Sequence, residues 1–139
     1  MDSGKNVLTC EILNISNHII MKFLRSFGYA WQGIQYCYRT QLNFRVQLKV
    51  LAAAVIAGFA LHISNVEWLF IIICSIAVLT LELMNTAIEH LCDTVTKDIH
   101  PSIKIIKDAS AAAVLLGATG SLVAGIIIFL PKIIGLLNL

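Results

Sequence analysis

Four acidic or amide residues recur in the segment ELMNTAIEHLCD, which directly follows the apolar run WLFIIICSIAVLTL. At about 100° per residue in a helix, all four fall within one arc of about 80°. We call this arc the acidic face, and its members are Glu82, Asn85, Glu89 and Asp93. Carboxylate and amide oxygens are ligands that suit Mg2+, and a carboxylate can also accept a proton from a substrate. The spacing therefore predicts a metal or proton-transfer site on one side of a helix.

A solvated helix end is the simpler interpretation of the same residues. It explains Asp93 and Glu89, which would emerge into water beyond the membrane. It does not explain Glu82 and Asn85, because three of the four residues in the preceding turn, 78–81, are apolar. An acidic residue at mid-depth in a membrane costs roughly 2.5–3.5 kcal/mol, and ionisable residues inside membrane segments usually mark functional sites. We therefore favour a functional interpretation.

Further charged residues follow the next loop and would approach the same membrane edge in a helical hairpin. They are Lys104, Lys107 and Asp108. Acidic ligands for Mg2+, a lysine for phosphate and a spare carboxylate for proton abstraction are the components of phosphoryl transfer. Neither a Walker A motif nor a kinase glycine-rich loop is present to indicate nucleotide binding.

Two other functions remain compatible with the acidic face. A small proton or cation conduit could use Glu82 and Glu89, and on the residues alone it fits nearly as well as phosphoryl transfer. A conduit has no use for a phosphate-binding lysine such as Lys107 beside its mouth, whereas a kinase does. A helical assembly protein without catalysis is disfavoured, because a scaffold would not bear the cost of Glu82.

The composition places these residues in an integral membrane protein. The chain has 139 residues, of which 58% are hydrophobic and only 13% are charged, and its mean hydropathy is +0.85. A soluble domain of this size could not bury so much apolar surface. The net charge of +2 and the absence of a basic block argue against a nucleic-acid partner.

Apolar stretches predict an all-α fold with three membrane-spanning helices. They run over about 46–62, 66–83 with a helical continuation to about Thr96, and 111–130, where Pro131 closes the last span. Small residues recur at every fourth position of the third span, which favours close helix packing and self-association. These residues are Ala109, Ala113, Gly117, Ser121 and Gly125.

The N-terminal part has a different pattern. Residues 1–16 are predicted to be a flexible tail, and residues 17–139 a single membrane-embedded domain. Aromatic and basic residues alternate from Asn17 to about Arg39, as in an amphipathic helix that lies in a membrane interface. Lysine and arginine concentrate in the N-terminal region and in the loop over 93–108. The positive-inside rule therefore places both in the cytoplasm and the C-terminus outside.

Four segments of the sequence resemble those of a known protein family. ELMNTAIEH, HPSIKIIKDASAAAVLL, GYAWQG and NFR closely resemble the prokaryotic diacylglycerol kinase family of small membrane-embedded lipid kinases, from about Lys22 to Leu130. The segments EWLFIIICSIAVLTLELMNTAIEH and GIIIFLPK look most like the Gram-positive branch, which phosphorylates undecaprenol; diacylglycerol is the alternative acceptor. The resemblance implies ATP and Mg2+ as cofactors, a homotrimer in the bacterial plasma membrane, and active sites shared between subunits at the cytoplasmic edge.

The resemblance also implies roles for individual residues. Glu82 matches the base that takes the proton from the lipid hydroxyl, Asn85 lies where the phosphoryl group would pass, and Glu89 matches a Mg2+ ligand. Trp31 matches a position near the lipid substrate. Positions implied to contact the nucleotide are Lys22, Tyr29, Glu89, Asp98, Ile99, His100, Lys107 and Asp108.

Two positions depart from the family pattern. Gln41 stands where the family usually has a glutamate ligand before NFR, so the implied metal ligands here are Glu89 and Gln41. Lys22 stands where the Gram-negative enzymes carry an arginine. This second change keeps the charge but loses the bidentate geometry of a guanidinium group.

Overall fold

The described part of the chain in this computed structural model is helical. The structure describes residues 3–96, 98 and 100–137, and within them the side chains of all residues except 3–17 and 19. The helices are α1 (Ser3–Thr40), α2 (Leu42–Ala60), α3 (Asn65–Val95) and α4 (Pro101–Leu137). The last three are each long and apolar enough to cross a membrane. The predicted all-α membrane fold with three spans is therefore confirmed.

The chain divides into two compact units, Met1–Tyr36 and Cys37–Leu139. The described residues of the first unit belong to α1, and their described aromatic side chains are exposed. Phe23 and Phe27, one turn apart, pack edge to face with ring centroids 5.0 Å apart. The predicted start of this helix at Asn17 is wrong, because α1 already begins at Ser3. The division into a flexible tail over 1–16 and a domain over 17–139 stays a prediction.

In the second unit, α3 packs most extensively against α4 and less against α2. Gly117 of α4 lies directly against α3, since a Cβ atom added there would meet Leu81 Cδ1 at 2.7 Å. A glycine at this position leaves room for the Leu81 side chain between the two helices, in keeping with the close helix packing that the small-residue pattern predicted. The α3–α4 hairpin is therefore the most extensively packed part of the unit.

A small apolar cluster closes the end of the unit where α2 joins α3. Ile63, Ile71 and Ile128 form its buried centre, and Trp68 packs against it. The indole also covers Gly58, where an added Cβ would lie 2.8 Å from the ring. These contacts fix the connection between α2 and α3, and thereby the register in which α2 faces α3.

The same end is held by polar contacts between α3 and α4. Ser64 and Glu67 form a capping box at the start of α3, and Glu67 also pairs with Lys132 of α4 at 3.2 Å.

The prediction that Pro131 closes the third span is wrong, because α4 continues to Leu137. Proline removes one backbone hydrogen bond, but transmembrane helices tolerate it. The ion pair between Lys132 and Glu67 of α3 stabilises the turn of α4 that follows Pro131.

Candidate active site

Glu82 lies in the contact between α3 and α2 and is only 1% exposed. Gln47 of α2 reaches it across the interface, and Gln47 Nε2 donates to Glu82 Oε2 at 3.3 Å. Asn43, one turn earlier on α2, also lies close enough to interact with the Glu82 side chain. A buried carboxylate that meets amides from the neighbouring helix is held in a defined orientation, with little water around it.

Asn85 links the acidic face to α4. Its side-chain amide group donates from Nδ2 to Glu89 Oε1 at 3.1 Å, and its Oδ1 accepts from the Ser110 hydroxyl at 2.6 Å. The same hydroxyl lies 2.9 Å from the Lys107 carbonyl oxygen. A serine hydroxyl has one hydrogen, and the shorter contact favours Asn85. Ser110 therefore fixes which end of the Asn85 amide faces Glu89.

Exposure increases along the acidic face towards the end of α3. Glu82 and Asn85 are 1% and 8% exposed, Glu89 is half-buried, and the Asp93 side chain is 63% exposed. The buried Thr86 beside them donates to the carbonyl oxygen of Glu82 in its own helix, at 2.9 Å. The predicted helix and its polar arc are confirmed, and the arc leads from a buried carboxylate to an exposed one.

Lys107 lies across the hairpin from the exposed end of this face. Its ammonium group forms an ion pair with Asp93, so a cation of α4 lies at the exposed end of the acidic face. The neighbouring Asp108 is exposed. The pair is accessible to solvent, which makes the cation available to an anionic ligand at modest cost.

The loop between α3 and α4 has its own local contacts. The Asp98 backbone N–H donates to Thr96 Oγ1 at 3.0 Å. His100 Nδ1 accepts from the Ser102 backbone N–H at 3.3 Å, so its side chain satisfies a free donor in the first turn of α4. Ile99 lies outside the described residues.

The remaining predicted positions fall into two groups. Lys22, Tyr29 and Trp31 are exposed residues of the first unit. Gln41 is half-buried and immediately precedes α2, where its side chain forms no capping hydrogen bond. Among the described residues no contact joins Gln41 to Glu89, and no group of three or more His, Cys, Asp and Glu residues is arranged to hold a metal.

Two residues of this site, Gln47 and Ser110, were not assigned from the sequence. Gln47 is an uncharged polar residue inside the first predicted span, and polar residues in spans tend to face a partner helix. Ser110 follows Lys107 by three residues, which places it on the same side of α4. These two signals were present in the sequence, but neither identified the residue on α3 that each one contacts.

Comparison with known proteins identifies the family of this chain. The family model for prokaryotic diacylglycerol kinase matches residues 28–129. The undecaprenol kinase of Bacillus subtilis (strain 168) is 41% identical over 112 residues, which cover 81% of this chain and 91% of that protein. The diacylglycerol kinase of Synechocystis is 38% identical over 82% of this chain and 66% of its own length. That of Escherichia coli (strain K12) is 25% identical over 68% of this chain and 78% of its own length.

The family match over residues 28–129 includes the acidic face and most of the α3–α4 hairpin, and it confirms the resemblance inferred from the motifs. Kinases of this family use ATP, and the three apolar helices are typical of a membrane protein. The chain belongs to the prokaryotic diacylglycerol kinase family and is a membrane lipid kinase.

Proposed function

We propose that this kinase transfers the γ-phosphoryl group of ATP, with Mg2+, to the hydroxyl of undecaprenol, with diacylglycerol as the alternative acceptor. The observation that supports this proposal most is the buried Glu82 carboxylate, which accepts a hydrogen bond from Gln47. Glu82 shares the acidic face with Glu89, and Lys107 of α4 lies at the exposed end of that face. The relatives support both acceptors, since the undecaprenol kinase and one diacylglycerol kinase are 41% and 38% identical to this chain.

In the proposed reaction Glu82 is the general base. The lipid O–H bond breaks, and its proton passes to a Glu82 carboxylate oxygen. The electron pair left on the lipid oxygen forms the new bond to the γ-phosphorus. The bond from phosphorus to the β–γ bridging oxygen breaks, and its electron pair leaves with ADP. Burial of Glu82 keeps water from competing with the lipid hydroxyl for the phosphoryl group.

Asn85 would act beside the transferring group. It lies one turn from Glu82 towards the exposed end of the face, and its amide is oriented by Ser110. Its Nδ2 hydrogens point towards Glu89, so an entering phosphate would find a donor there rather than a second acceptor. A fixed donor of this kind can stabilise charge on the phosphoryl oxygens.

Glu89 fits a Mg2+ ion that is held mainly by substrate. One Glu89 oxygen accepts from Asn85, and Mg2+ commonly binds one or two carboxylates together with nucleotide phosphates and water. The implied ligands are Glu89 and Gln41. The ion would polarise the phosphate oxygens and offset their charge.

Lys107 is the proposed cation for the ATP phosphates. Its ion pair with Asp93 is exposed, so phosphate oxygens can replace or share the carboxylate at little cost. Other positions proposed from the family resemblance are Lys22, Tyr29, Asp98, Ile99, His100 and Asp108 for the nucleotide, and Trp31 for the lipid.

The proposed assembly is a homotrimer in the bacterial cytoplasmic membrane. The N-terminus and the 93–108 loop would face the cytoplasm, and the C-terminus would lie outside. The three apolar helices are only 11–17% buried over their most hydrophobic windows within one chain. Lipid and neighbouring subunits can cover the rest.

A proton or cation conduit through Glu82 and Glu89 is not favoured. Beyond Glu82, towards the start of α3, the buried residues are the apolar Val78 and Ile71. A conduit needs polar groups or water over the whole depth of the membrane, whereas both buried residues in this part of α3 are apolar.

The deciding experiment offers labelled ATP to purified protein in detergent, with undecaprenol and diacylglycerol in parallel reactions. We expect labelled phosphate on undecaprenol, and Glu82→Gln serves as the inactive control. Faster labelling of diacylglycerol would reverse the acceptor assignment. Labelling of neither lipid by well-folded protein would contradict the proposed function.

A further inference from the structure

Gln47 has an unusual environment for a residue in a membrane helix. Its Nε2 donates to Glu82 Oε2 at 3.3 Å, whereas its Oε1 is buried and is the only described buried side-chain nitrogen or oxygen without a hydrogen-bond partner. A buried acceptor without a donor is destabilising and uncommon in folded proteins. The Nε2 end of this amide thus forms a hydrogen bond, whereas its Oε1 end has no donor although it lies near the Glu82 carboxyl group.

The two sides of the amide match the two forms of Glu82. An ionised carboxylate can only accept hydrogen bonds, whereas a protonated carboxyl group has one O–H donor. Nε2 suits the ionised form, and Oε1 suits the protonated form. The terminal amide torsion of glutamine is broad and roughly two-fold, so the group can turn from one arrangement to the other without moving α2.

We infer that Gln47 is a positioning residue that holds Glu82 in both protonation states of the phosphoryl transfer. This inference rests on the proposed role of Glu82 as the base. Before transfer, Nε2 donates to the carboxylate and aims it at the lipid hydroxyl. After the lipid O–H bond breaks and its proton reaches Glu82, the new carboxyl O–H donates to Gln47 Oε1. The proton then leaves Glu82 for water as product departs.

The other groups around Glu82 do not replace this function. On α3 the charged neighbour is Glu89, whose charge opposes a second negative charge nearby. On α2 the second amide, Asn43, is exposed. Among the described residues of α4 none contacts the Glu82 side chain through a hydrogen bond or an ion pair. Gln47 is therefore the neighbour suited to both forms.

Two substitutions separate this role from simple packing. Gln47→Met keeps the length and volume but removes both the donor and the acceptor. Gln47→Lys keeps a donor and removes the acceptor. Gln35→Met is the matched control, since Gln35 is an exposed glutamine of α1 that has no role in the proposed site. Thermal unfolding and size in detergent identify any variant that fails to fold.

The kinetic readout is kcat against pH at saturating ATP and lipid, together with KM for both. We expect kcat to fall by about 10- to 100-fold in both variants, as for loss of one hydrogen bond to a charged group, with little change in KM for ATP. In Gln47→Met the carboxylate loses its donor and the carboxyl group loses its acceptor, so the acid limb should stay close to that of the wild type while kcat falls. The acid limb should move to lower pH in Gln47→Lys, because a cation favours the carboxylate.

A purely structural role would not lower kcat in folded protein and also separate the acid limbs of the two variants. Wild-type kcat values in the folded variants, or acid limbs that shift by the same amount in both, would overturn the inference while leaving the kinase function intact. A wild type that phosphorylates neither lipid would instead overturn the proposed function and the inference with it.

A second measurement does not depend on turnover. The infrared C=O band of protonated Glu82 is assigned by its loss in Glu82→Gln. We expect it to lie at higher wavenumber in Gln47→Met than in the wild type, because the carboxyl O–H has lost its amide acceptor. An unchanged band in folded protein would overturn the inference.

Discussion

Ser110 of α4 donates its hydroxyl hydrogen to Asn85 Oδ1 of α3 across 2.6 Å, and this bond orients an amide at the centre of the site. Asparagine oxygen and nitrogen are similar in size, so an unrestrained amide could present either one to Glu89. With Ser110 in place, the nitrogen faces Glu89. The chemistry of α3 is thus set partly by a side chain from the neighbouring helix.

Ser110→Ala tests this bond. We expect kcat to fall by about 10-fold, since one short hydrogen bond at the site is lost, while the thermal stability changes little. Ser121→Ala is the control, because Ser121 of α4 bonds only to the Gly117 carbonyl oxygen of its own helix, at 2.9 Å. Equal kcat values for the two variants would show that Ser110 does not orient Asn85 during catalysis.

Glu82→Gln tests the proposed base. The amide cannot accept the lipid proton, so transfer should fall by about 10²- to 10⁴-fold, while ATP binding and oligomer size persist. Glu67→Gln removes one negative charge from the other end of α3, where Glu67 pairs with Lys132, and should retain most of the activity. The measurement is labelled-phosphate transfer to lipid. Near-normal turnover in Glu82→Gln would remove Glu82 from the base role.

Gly117→Leu tests the close approach of α3 and α4. A Cβ at Gly117 already meets Leu81 Cδ1 at 2.7 Å, whereas a Cβ at Gly120 has no neighbour within 4 Å. We expect Gly117→Leu to insert into membranes but to unfold at a temperature lower by several degrees, the shift that about 1–3 kcal/mol of overpacking produces. Gly120→Leu is the matched comparison. Equal melting temperatures for the two variants would contradict the packing argument.

Gln41→Glu tests the proposed metal ligand. A carboxylate binds Mg2+ more strongly than a neutral amide. The variant should therefore reach half-maximal activity at lower free Mg2+, with a smaller effect on the maximal rate. The titration is made at saturating ATP and lipid, with Gln35→Glu as the control for added charge. Superimposed Mg2+ curves for the variant and the wild type would exclude Gln41 as a ligand.

The acidic face could be predicted because it lies on one helix, where the spacing of residues alone determines which of them share a side. Gln47 and Ser110 could not be matched to their partners, because those contacts depend on the register between helices. That register is set in part by the Gly117–Leu81 approach and by the packing of Trp68 on Gly58. Pairing of this kind follows from three-dimensional packing, which a single sequence does not specify.

Two helix boundaries were misjudged for a related reason. Pro131 is unfavourable for the helix locally, yet α4 continues through it beside the Lys132–Glu67 ion pair. Likewise the amphipathic pattern predicted a helix from Asn17, but α1 begins at Ser3. Sequence patterns report local preference and side-chain polarity, whereas a helix end also depends on the contacts made beyond it.

The unbroken course of α3 between Glu82 and Glu89 has a consequence for the surrounding bilayer. The two carboxylates are separated by a fixed rise of about 10 Å, so neither can follow a lipid headgroup that moves up or down. At about 46 Å, the 31-residue helix is also longer than a hydrocarbon core of about 30 Å. A thicker bilayer would carry the acceptor hydroxyl past Glu82, and a thinner one would leave it short. With Glu82 as the proposed base, we therefore expect the acyl-chain length of the surrounding lipids to affect turnover.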